Sequence, residues 1–221
     1  MRGRFITFEG GEGSGKSTHA AVLAKRLKSL GIGIEVTREP GGSPGAEAIR
    51  HVLLSGGAQP LGPIAEAILF AAARDDHVRA TIEPALQRGK WVVCDRFTDS
   101  TRVYQGVLGR VDARLIRGLE RVTIGDLKPD LTFILDVPVE VGLARAAKRR
   151  GNDQIDRFET ETRDFHQKLC DAYRDIAARE SERCVLIDAQ KSRNEVANQI
   201  WKIVYARLDP IGAPAELADT P

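Results

Sequence analysis

The chain has 221 residues, enough for one domain with a substantial core, since domains commonly hold about 100–200 residues. Hydrophobic residues make up 42% and charged residues 29% of the sequence, which is typical of a globular protein and excludes a disordered or fibrous one. The 33 Lys and Arg residues against 31 Asp and Glu residues leave a net charge of +2, too small to predict a nucleic acid or an acidic membrane as a partner. We expect any anionic ligand to be bound by a local cluster of cations.

Nothing in the sequence predicts export, a membrane span or a metal-binding cysteine cluster. The first residues lack the apolar stretch of a signal peptide, and no apolar run approaches the roughly 20 residues of a membrane span, so we expect a cytoplasmic protein. Cys94, Cys170 and Cys184 are odd in number and have no metal-ligand spacing, which favours buried thiols in a reducing compartment.

Short apolar or β-branched runs alternate with longer stretches of helical period, the pattern of βα units on a parallel sheet. Strands are predicted at 5–8, 34–37, 91–94, 131–137 and 185–187. Helices are predicted at 16–30, 46–54, 64–87, 112–123, 139–148, 162–182 and 193–208. These elements predict a three-layer α/β domain over residues 1–208, with a five-stranded parallel sheet and helices on both faces.

Two segments break this alternation. Residues 148–157 are densely charged and have little to bury, so we expect a small mobile excursion at about 148–160 between two helices. The tail 209–221 contains three prolines and no apolar period, and we expect it to be disordered.

A phosphate-binding loop lies between the first strand and the first helix. The sequence Gly10-Gly11-Glu12-Gly13-Ser14-Gly15-Lys16-Ser17 matches G-x-x-x-x-G-K-[ST] in full. Backbone N–H groups of such a loop and the amino end of the following helix surround phosphate oxygens, while the lysine reaches the β- and γ-phosphates and the serine can bind Mg²⁺. The motif predicts a nucleoside triphosphate site, and it does not distinguish a kinase from a GTPase, a motor or a binding module.

The third strand ends in Asp95-Arg96, which narrows this choice. Carboxyl ends of parallel strands line the ligand crevice, so both side chains should face the phosphates. Asp95 is a candidate Mg²⁺ ligand through water, and Arg96 is a candidate for binding an acceptor phosphate. A G protein would be expected to show Asp-x-x-Gly directly after a strand and Asn-Lys-x-Asp for guanine, and neither is found here in that setting.

Taken together, the motifs of the chain resemble those of the thymidylate kinase family, and especially its bacterial members. The matching segments, in order, are 8–18, 37–42, 70–74, 95–97, 104–106, 129–130 and 156–159. The resemblance extends from about residue 5 to about residue 208. It implies a P-loop kinase fold with a small lid, ATP and dTMP as substrates, Mg²⁺ as cofactor and a homodimer.

The resemblance also implies which residues bind each substrate. ATP is expected to contact the phosphate loop, Thr18 and Arg145, and Mg²⁺ to be held through Ser17 and Asp95. The residues implied for dTMP are Glu9, Arg38, Phe70, Arg74, Arg96, Ser100, Thr101, Tyr104 and Gln105.

Several of these residues have a plain alternative from the sequence alone. Phe70 and Arg74 lie one helical turn apart, so a ring for stacking a base and a guanidinium for its carbonyl oxygen can share a pocket, but they could equally be a core aromatic and a surface charge. Tyr104, implied to exclude a ribose 2′-hydroxyl, could be a helix-surface aromatic. Glu9 could be paired locally with a cation.

The family divides according to whether a catalytic arginine lies in the phosphate loop or in the lid. The variable loop positions Glu12, Gly13 and Ser14 carry no arginine, so the resemblance places the chain in the lid-arginine class. Catalysis is then expected to rest on Lys16, Arg96 and Glu9 together with lid arginines. Arg149 and Arg150 are favoured, and Arg157 is a further candidate.

The implied reaction is the ATP- and Mg²⁺-dependent phosphorylation of dTMP to dTDP. One alternative is another P-loop kinase, acting on UMP, CMP or a deoxynucleoside, which the joint presence of Phe70, Arg74, Tyr104 and Gln105 disfavours. The other is a P-loop ATPase or binding module that transfers nothing. It predicts ATP binding or hydrolysis that does not respond to monophosphates.

Overall fold

A computed structural model describes residues 2–150, 158 and 161–210, without the side chains of Arg149 and Arg150. Five strands form one parallel sheet in the order β2-β3-β1-β4-β5. Their bounds are β1 Phe5–Gly10, β2 Ile34–Arg38, β3 Trp91–Asp95, β4 Leu131–Asp136 and β5 Cys184–Asp188. The order places β1 at the centre, so the loop that follows it lies at the middle of the carboxyl edge. The predicted sheet is confirmed.

One or more helices fill every connection between consecutive strands, and a last helix follows β5. Those from the first half of the chain are α1 Lys16–Ser29, α2 Pro44–Leu54, α3 Gly62–His77, α4 Glu83–Gln87 and α5 Thr98–Thr101. The second half contributes α6 Ala113–Ile124, α7 Val139–Arg150, α8 Arg163–Arg179 and α9 Arg193–Leu208. The predicted helix at 64–87 is α3, a wider π-helical turn at Val78–Ile82 and α4 in succession.

Apolar side chains cover both faces of the sheet, which gives three layers. On one face, Leu23 and Leu27 of α1 pack with Phe8 and Phe133 of the sheet. On the other face, Phe5 packs with residues from Val78 to Leu86 in the wide turn and α4. Burying these side chains contributes about 1.5–3 kcal/mol each relative to exposure, so the strands need apolar residues on both sides.

The sequence pattern missed a helical segment that follows β3. It consists of α5 and a π-helical stretch, Arg102–Leu108, and it contains β-branched residues and Gly106 where good helix formers are expected. Ion pairs hold it in place: Asp99, 1% exposed, is bound by both terminal nitrogens of Arg183 at 2.8 Å, and Arg102 binds Glu120. Tertiary contacts therefore override weak local propensity here.

The predicted buried thiols are confirmed, because Cys94, Cys170 and Cys184 are free and buried. No single helix in the described part of the chain is long and apolar enough to cross a membrane. One sharply bent pair, Pro44–Leu54 with Gln59–Gln87, reaches the required length and composition only when the two are taken together. Most of the expected lid at 148–160 and nearly all of the tail at 209–221 lie outside the described residues.

Candidate active site

A cavity of about 490 Å³ opens at the carboxyl ends of β1, β2 and β3. Its phosphate-loop side is formed by Glu12, Gly13, Gly15, Lys16 and Ser17. Its other side contains every residue expected to bind dTMP except Glu9. One continuous space therefore joins the phosphate loop to the candidate acceptor pocket.

The phosphate loop packs directly on the backbone of α7. Gly13 has a φ of 64°, and a Cβ there would stand 1.9 Å from the carbonyl oxygen of Gly142. A Cβ on Gly142 would in turn stand 2.5 Å from the carbonyl oxygen of Glu12. Only glycine allows this approach from both sides. The loop thus rests on the helix that leads into the expected lid.

Lys16 lies at the start of α1 and is nearly buried. Its ammonium group donates to the carbonyl oxygens of Gly11 at 2.7 Å and Gly10 at 3.2 Å. Burial, together with the positive charge of Arg96, lowers the pKa of Lys16 to about 8. Its positive charge is therefore less stabilised than it would be in water, and a bound phosphate would offset that cost.

Ser17 and Asp95 meet on the cavity wall, as β1 and β3 are neighbours in the sheet. The Ser17 hydroxyl donates to Oδ2 of Asp95. One hydroxyl and one carboxylate beside a phosphate site form a donor set suited to Mg²⁺, which keeps several waters and takes further oxygens from phosphates. The described residues contain no cluster of three or more His, Cys, Asp and Glu side chains that would hold a metal without a substrate.

Arg96 directly follows β3 and has a left-handed backbone, with a φ of 71°. This conformation is uncommon for a residue with a Cβ and is often found at functional sites. Its Nη2 donates to Oε1 of Glu12 at 2.5 Å, and its guanidinium stacks over the Tyr104 ring at 5.2 Å. The Tyr104 hydroxyl donates to the same Glu12 oxygen at 3.1 Å. Glu12 thus links the phosphate loop to the acceptor side.

Glu9 lies beneath the cavity and is fully buried. Its oxygens accept hydrogen bonds from Phe97 N at 2.7 Å, the Ser100 hydroxyl at 2.7 Å and the Tyr173 hydroxyl at 3.1 Å. Burial, and then the negative charge of Asp99, raises the pKa of Glu9 to about 7. These contacts make Glu9 a support for the segment after β3. The donors found for Glu9 among the described residues are hydroxyl and backbone groups, not the lysine or arginine considered from the sequence.

Phe70 and Arg74 lie on one face of α3, as their spacing predicts. Phe70 is partly exposed on the cavity wall and is not part of a described core cluster. The side chain of Arg74 is only 3% exposed, and its guanidinium lies over the Phe97 ring at 5.4 Å. A flat ring and a fixed guanidinium on the same wall are suited to a planar base with a carbonyl group.

Two further cavity residues, Arg50 and Leu54 of α2, were not predicted as site residues. Arg50 donates to the carbonyl oxygen of Pro40 at 2.5 Å, and Arg38 donates to Glu47 at 2.9 Å, so α2 is bound to the loop after β2. An arginine and a leucine four residues apart are common on any amphipathic helix. No local signal distinguishes these two as cavity residues.

Some predicted residues lie outside the cavity wall. These are Glu9, Gly10, Gly11, Ser14, Thr18 and Arg145. Arg145 is exposed on α7 and donates to the carbonyl oxygen of Ala189 at 2.8 Å. Arg149 and Arg150 end α7, but their side chains, and the whole of Arg157, lie outside the described residues. Phe158 lines the cavity and meets the Tyr104 ring edge-on at 5.0 Å.

The phosphate loop after a central strand, the parallel sheet and the cavity that joins this loop to an arginine-lined pocket together define a P-loop kinase. The chain also matches the family model described as thymidylate kinase over residues 8–200. It belongs to the thymidylate kinase family, and it is a phosphotransferase.

Individual relatives agree with this assignment. The chain is 63% identical over 220 residues to a thymidylate kinase of Rhodopseudomonas palustris, which covers 99% of this chain and 96% of the relative. It is 63% identical over 212 residues to a thymidylate kinase of Bradyrhizobium diazoefficiens, covering 96% and 93% of the two chains. The crystal structure of a thymidylate kinase from Ehrlichia chaffeensis matches with a TM-score of 0.75 at 33% identity, over 92% of this chain and 100% of that one.

Proposed function

We propose that the chain transfers the γ-phosphoryl group of ATP to dTMP and releases ADP and dTDP. The observation that carries this proposal is the single cavity with a phosphate loop on one side and Phe70, Arg74 and Tyr104 on the other. Such a cavity holds donor and acceptor next to each other, and positioning of this kind supplies much of the rate in phosphoryl transfer.

On the donor side, Lys16 leaves the loop carbonyls and reaches the β- and γ-phosphates of ATP. Ser17 and Asp95 would hold Mg²⁺, and the ion when bound neutralises phosphate charge. The pairing of the Ser17 hydroxyl with the Asp95 carboxylate supports this assignment, because both groups already face one point on the cavity wall.

On the acceptor side, Arg38 and Arg96 bind the phosphate of dTMP, while Phe70 stacks on the base. Arg96 is brought next to the phosphate loop by its contact with Glu12, which places the acceptor phosphate beside the donor. Ser100, Thr101 and Gln105 contact the nucleotide from the helical segment after β3.

Tyr104 excludes ribonucleotides in this proposal. Its ring is 9% exposed and is held by Arg96, Phe158 and the Glu12 carboxylate, so it cannot easily move aside for a 2′-hydroxyl. A hydroxyl forced against it would also lose its hydrogen-bond partners.

Arg149 or Arg150 neutralises charge on the transferring phosphoryl group when the lid closes. The position of α7 supports this, because its backbone at Gly142 touches the phosphate loop and its last turn ends in these arginines. Arg145, one turn earlier, is assigned to adenine. We assign the lid to residues 148–160 of a single domain at 1–208, followed by the tail at 209–221.

We further propose that the chain forms a homodimer in the cytoplasm. Leu61, directly before α3, and Ile64 and Ile68 on α3 form an apolar stripe, and they are 65%, 55% and 48% exposed, which favours a protein partner. The three free thiols favour a reducing compartment. Sedimentation of the wild type and of Ile64→Glu tests this proposal. We expect a dimeric wild type and a variant shifted toward monomer, whereas a monomeric wild type would contradict the homodimer.

The substrate is tested by coupled measurement of ADP release with ATP, Mg²⁺ and one monophosphate at a time. We expect rapid release with dTMP, weaker release with dUMP, and little with UMP, dCMP, AMP or GMP. A preference for UMP or CMP would favour the other kinase, and release that ignores every acceptor would favour an ATPase.

A further inference from the structure

Arg74 is anchored from behind by protein groups. Its Nε donates to Oε2 of Glu39 at 2.7 Å, and its Nη2 donates to the Phe97 carbonyl oxygen at 3.1 Å and to the Thr101 hydroxyl at 2.9 Å. An arginine has five N–H donors, one on Nε and two on each terminal nitrogen. The hydrogen bonds found among the described residues use the Nε and Nη2 donors and leave both on Nη1 for the cavity that Arg74 lines.

Glu39 is itself held by a second buried group. Its Oε1 lies 3.1 Å from Nδ1 of His77, a residue that is fully buried, and Nε2 of His77 lies 2.7 Å from the Thr37 hydroxyl. Thr37 and Glu39 come from the end of β2, whereas Arg74 and His77 are one turn apart on α3. The chain Thr37–His77–Glu39–Arg74 therefore joins two elements behind the acceptor pocket.

The donors and acceptors of this chain match in one arrangement. An ionised Glu39 accepts from Arg74 on one oxygen and from Nδ1–H of His77 on the other. The remaining ring nitrogen, Nε2, then accepts the proton of the Thr37 hydroxyl. Every polar atom of the His77 ring is used, and the carboxylate is bound to a cation on one side and a neutral donor on the other.

The loop after β2 packs closely against this chain of hydrogen bonds. A Cβ on Gly42 would stand 2.3 Å from the Thr37 hydroxyl and 2.5 Å from Nε2 of His77. The carbonyl oxygen of Gly42 accepts a hydrogen bond from Thr81 at 2.8 Å, so the loop after β2 is pinned against the helix that follows α3. The orientation of His77 is thereby set by backbone as well as by hydrogen bonds.

We propose that Glu39 and His77 are positioning residues that fix Nη1 of Arg74 as a donor toward position 4 of the pyrimidine, so that a carbonyl there is accepted and an amino group is rejected. This inference rests on dTMP being the acceptor. A fixed donor gains a hydrogen bond from a carbonyl oxygen, whereas it meets another donor when the base carries an amino group. An arginine free to swing would lose this discrimination.

A matched pair of variants at His77 tests the proposal. Asparagine can present an amide N–H close to the position of Nδ1–H and so keep the bond to Glu39, whereas phenylalanine keeps the ring and removes both nitrogens. We would measure kcat and KM with dTMP and with 5-methyl-dCMP, which differ in the group at position 4 and in the proton on N3. The selectivity is the ratio of kcat/KM for dTMP to kcat/KM for 5-methyl-dCMP. It should persist in His77→Asn and fall about tenfold or more in His77→Phe, which is the scale of the cost of an unsatisfied buried donor.

The remaining measurements separate positioning from a general structural role. The KM for ATP should stay the same in both variants, because the hydrogen-bonded chain Thr37–His77–Glu39–Arg74 does not contact the phosphate loop. If His77→Phe lowers turnover of both acceptors equally, the positioning role is wrong. Thr37→Val removes only the hydrogen bond to Nε2 of His77, so it serves as a milder variant if His77→Phe fails to fold. It should lower the selectivity for dTMP over 5-methyl-dCMP in the same direction. An unchanged selectivity in a folded Thr37→Val would overturn the proposal.

The wild-type data separate a failure of the proposed function from a failure of the positioning role. If the wild type does not phosphorylate dTMP, the proposed function fails and the positioning role fails with it. If the wild type prefers dTMP over 5-methyl-dCMP and the variants keep that preference, only the positioning role is overturned.

Discussion

Replacing Glu9 by glutamine should change how the stability of the protein depends on pH. The carboxyl group of Glu9 is fully buried, and its pKa is raised from its usual 4.5 to about 7. The folded state therefore binds this proton more tightly than the unfolded state does. The resulting stability is complete below about pH 4.5 and is lost as the pH rises through about 7. The difference corresponds to about 3 kcal/mol between pH 4.5 and 8.

Glutamine keeps the contacts of Glu9 without its charge. Its carbonyl oxygen can accept from Phe97 N, and its amide can donate to the hydroxyl oxygens of Ser100 and Tyr173, which both accept as well as donate. The variant should therefore escape the penalty of ionising a buried carboxyl group. We expect it to gain stability over wild type as the pH rises from 5 to 8, by about 2–3 kcal/mol in total.

Urea unfolding of both proteins at pH 5, 6, 7 and 8 measures this gain. The free energy of unfolding of wild type is subtracted from that of Glu9→Gln at each pH, so that groups titrating alike in both proteins cancel. A difference that stays constant within about 0.5 kcal/mol, the scale of ordinary additivity errors, would refute the raised pKa.

Three further changes test the catalytic assignments. Lys16→Ala should abolish phosphoryl transfer in a protein that still unfolds cooperatively, because the ammonium group faces the cavity; near wild-type turnover would contradict the phosphate-loop assignment. Tyr104→Ala should lower the ratio of kcat/KM for dTMP over ribothymidine monophosphate, and an unchanged ratio would place the discriminating residue elsewhere. We expect Arg149→Ala or Arg150→Ala, made separately, to lower kcat by about 10³-fold with a smaller effect on the KM for dTMP. If kcat falls only a few-fold in each of the two variants, the charge of the phosphoryl group must be neutralised by Lys16 and Arg96 instead.

The sheet and the phosphate loop were predictable because their signals are local. The three central strands, β1, β3 and β4, are short apolar runs buried on both faces. The motif ending in Lys16-Ser17 can be recognised without knowing the rest of the fold. Asp95 and Arg96 were placed correctly at the carboxyl edge of the sheet, because the end of a parallel strand points toward the crevice wherever the strand lies in the order.

The supports behind the site were not predictable, because they depend on residues far apart in the chain. Tyr173 reaches Glu9 and Ser100 from α8, and Arg183 reaches Asp99 from the start of β5. Their partners are set by how the layers pack, which no local pattern records. The helical segment at 98–108 was missed for the same reason, since its shape depends on these contacts more than on its own propensity.

Transfer of the γ-phosphoryl group from ATP to dTMP is tested most directly by ³¹P NMR. A mixture of ATP, dTMP, Mg²⁺ and the protein would be followed as ATP is consumed. We predict that the signals of ADP and dTDP grow in equal amounts and that no inorganic phosphate accumulates. Growth of inorganic phosphate together with ADP, at a rate independent of dTMP, would mean that the protein hydrolyses ATP and does not transfer the phosphoryl group to dTMP.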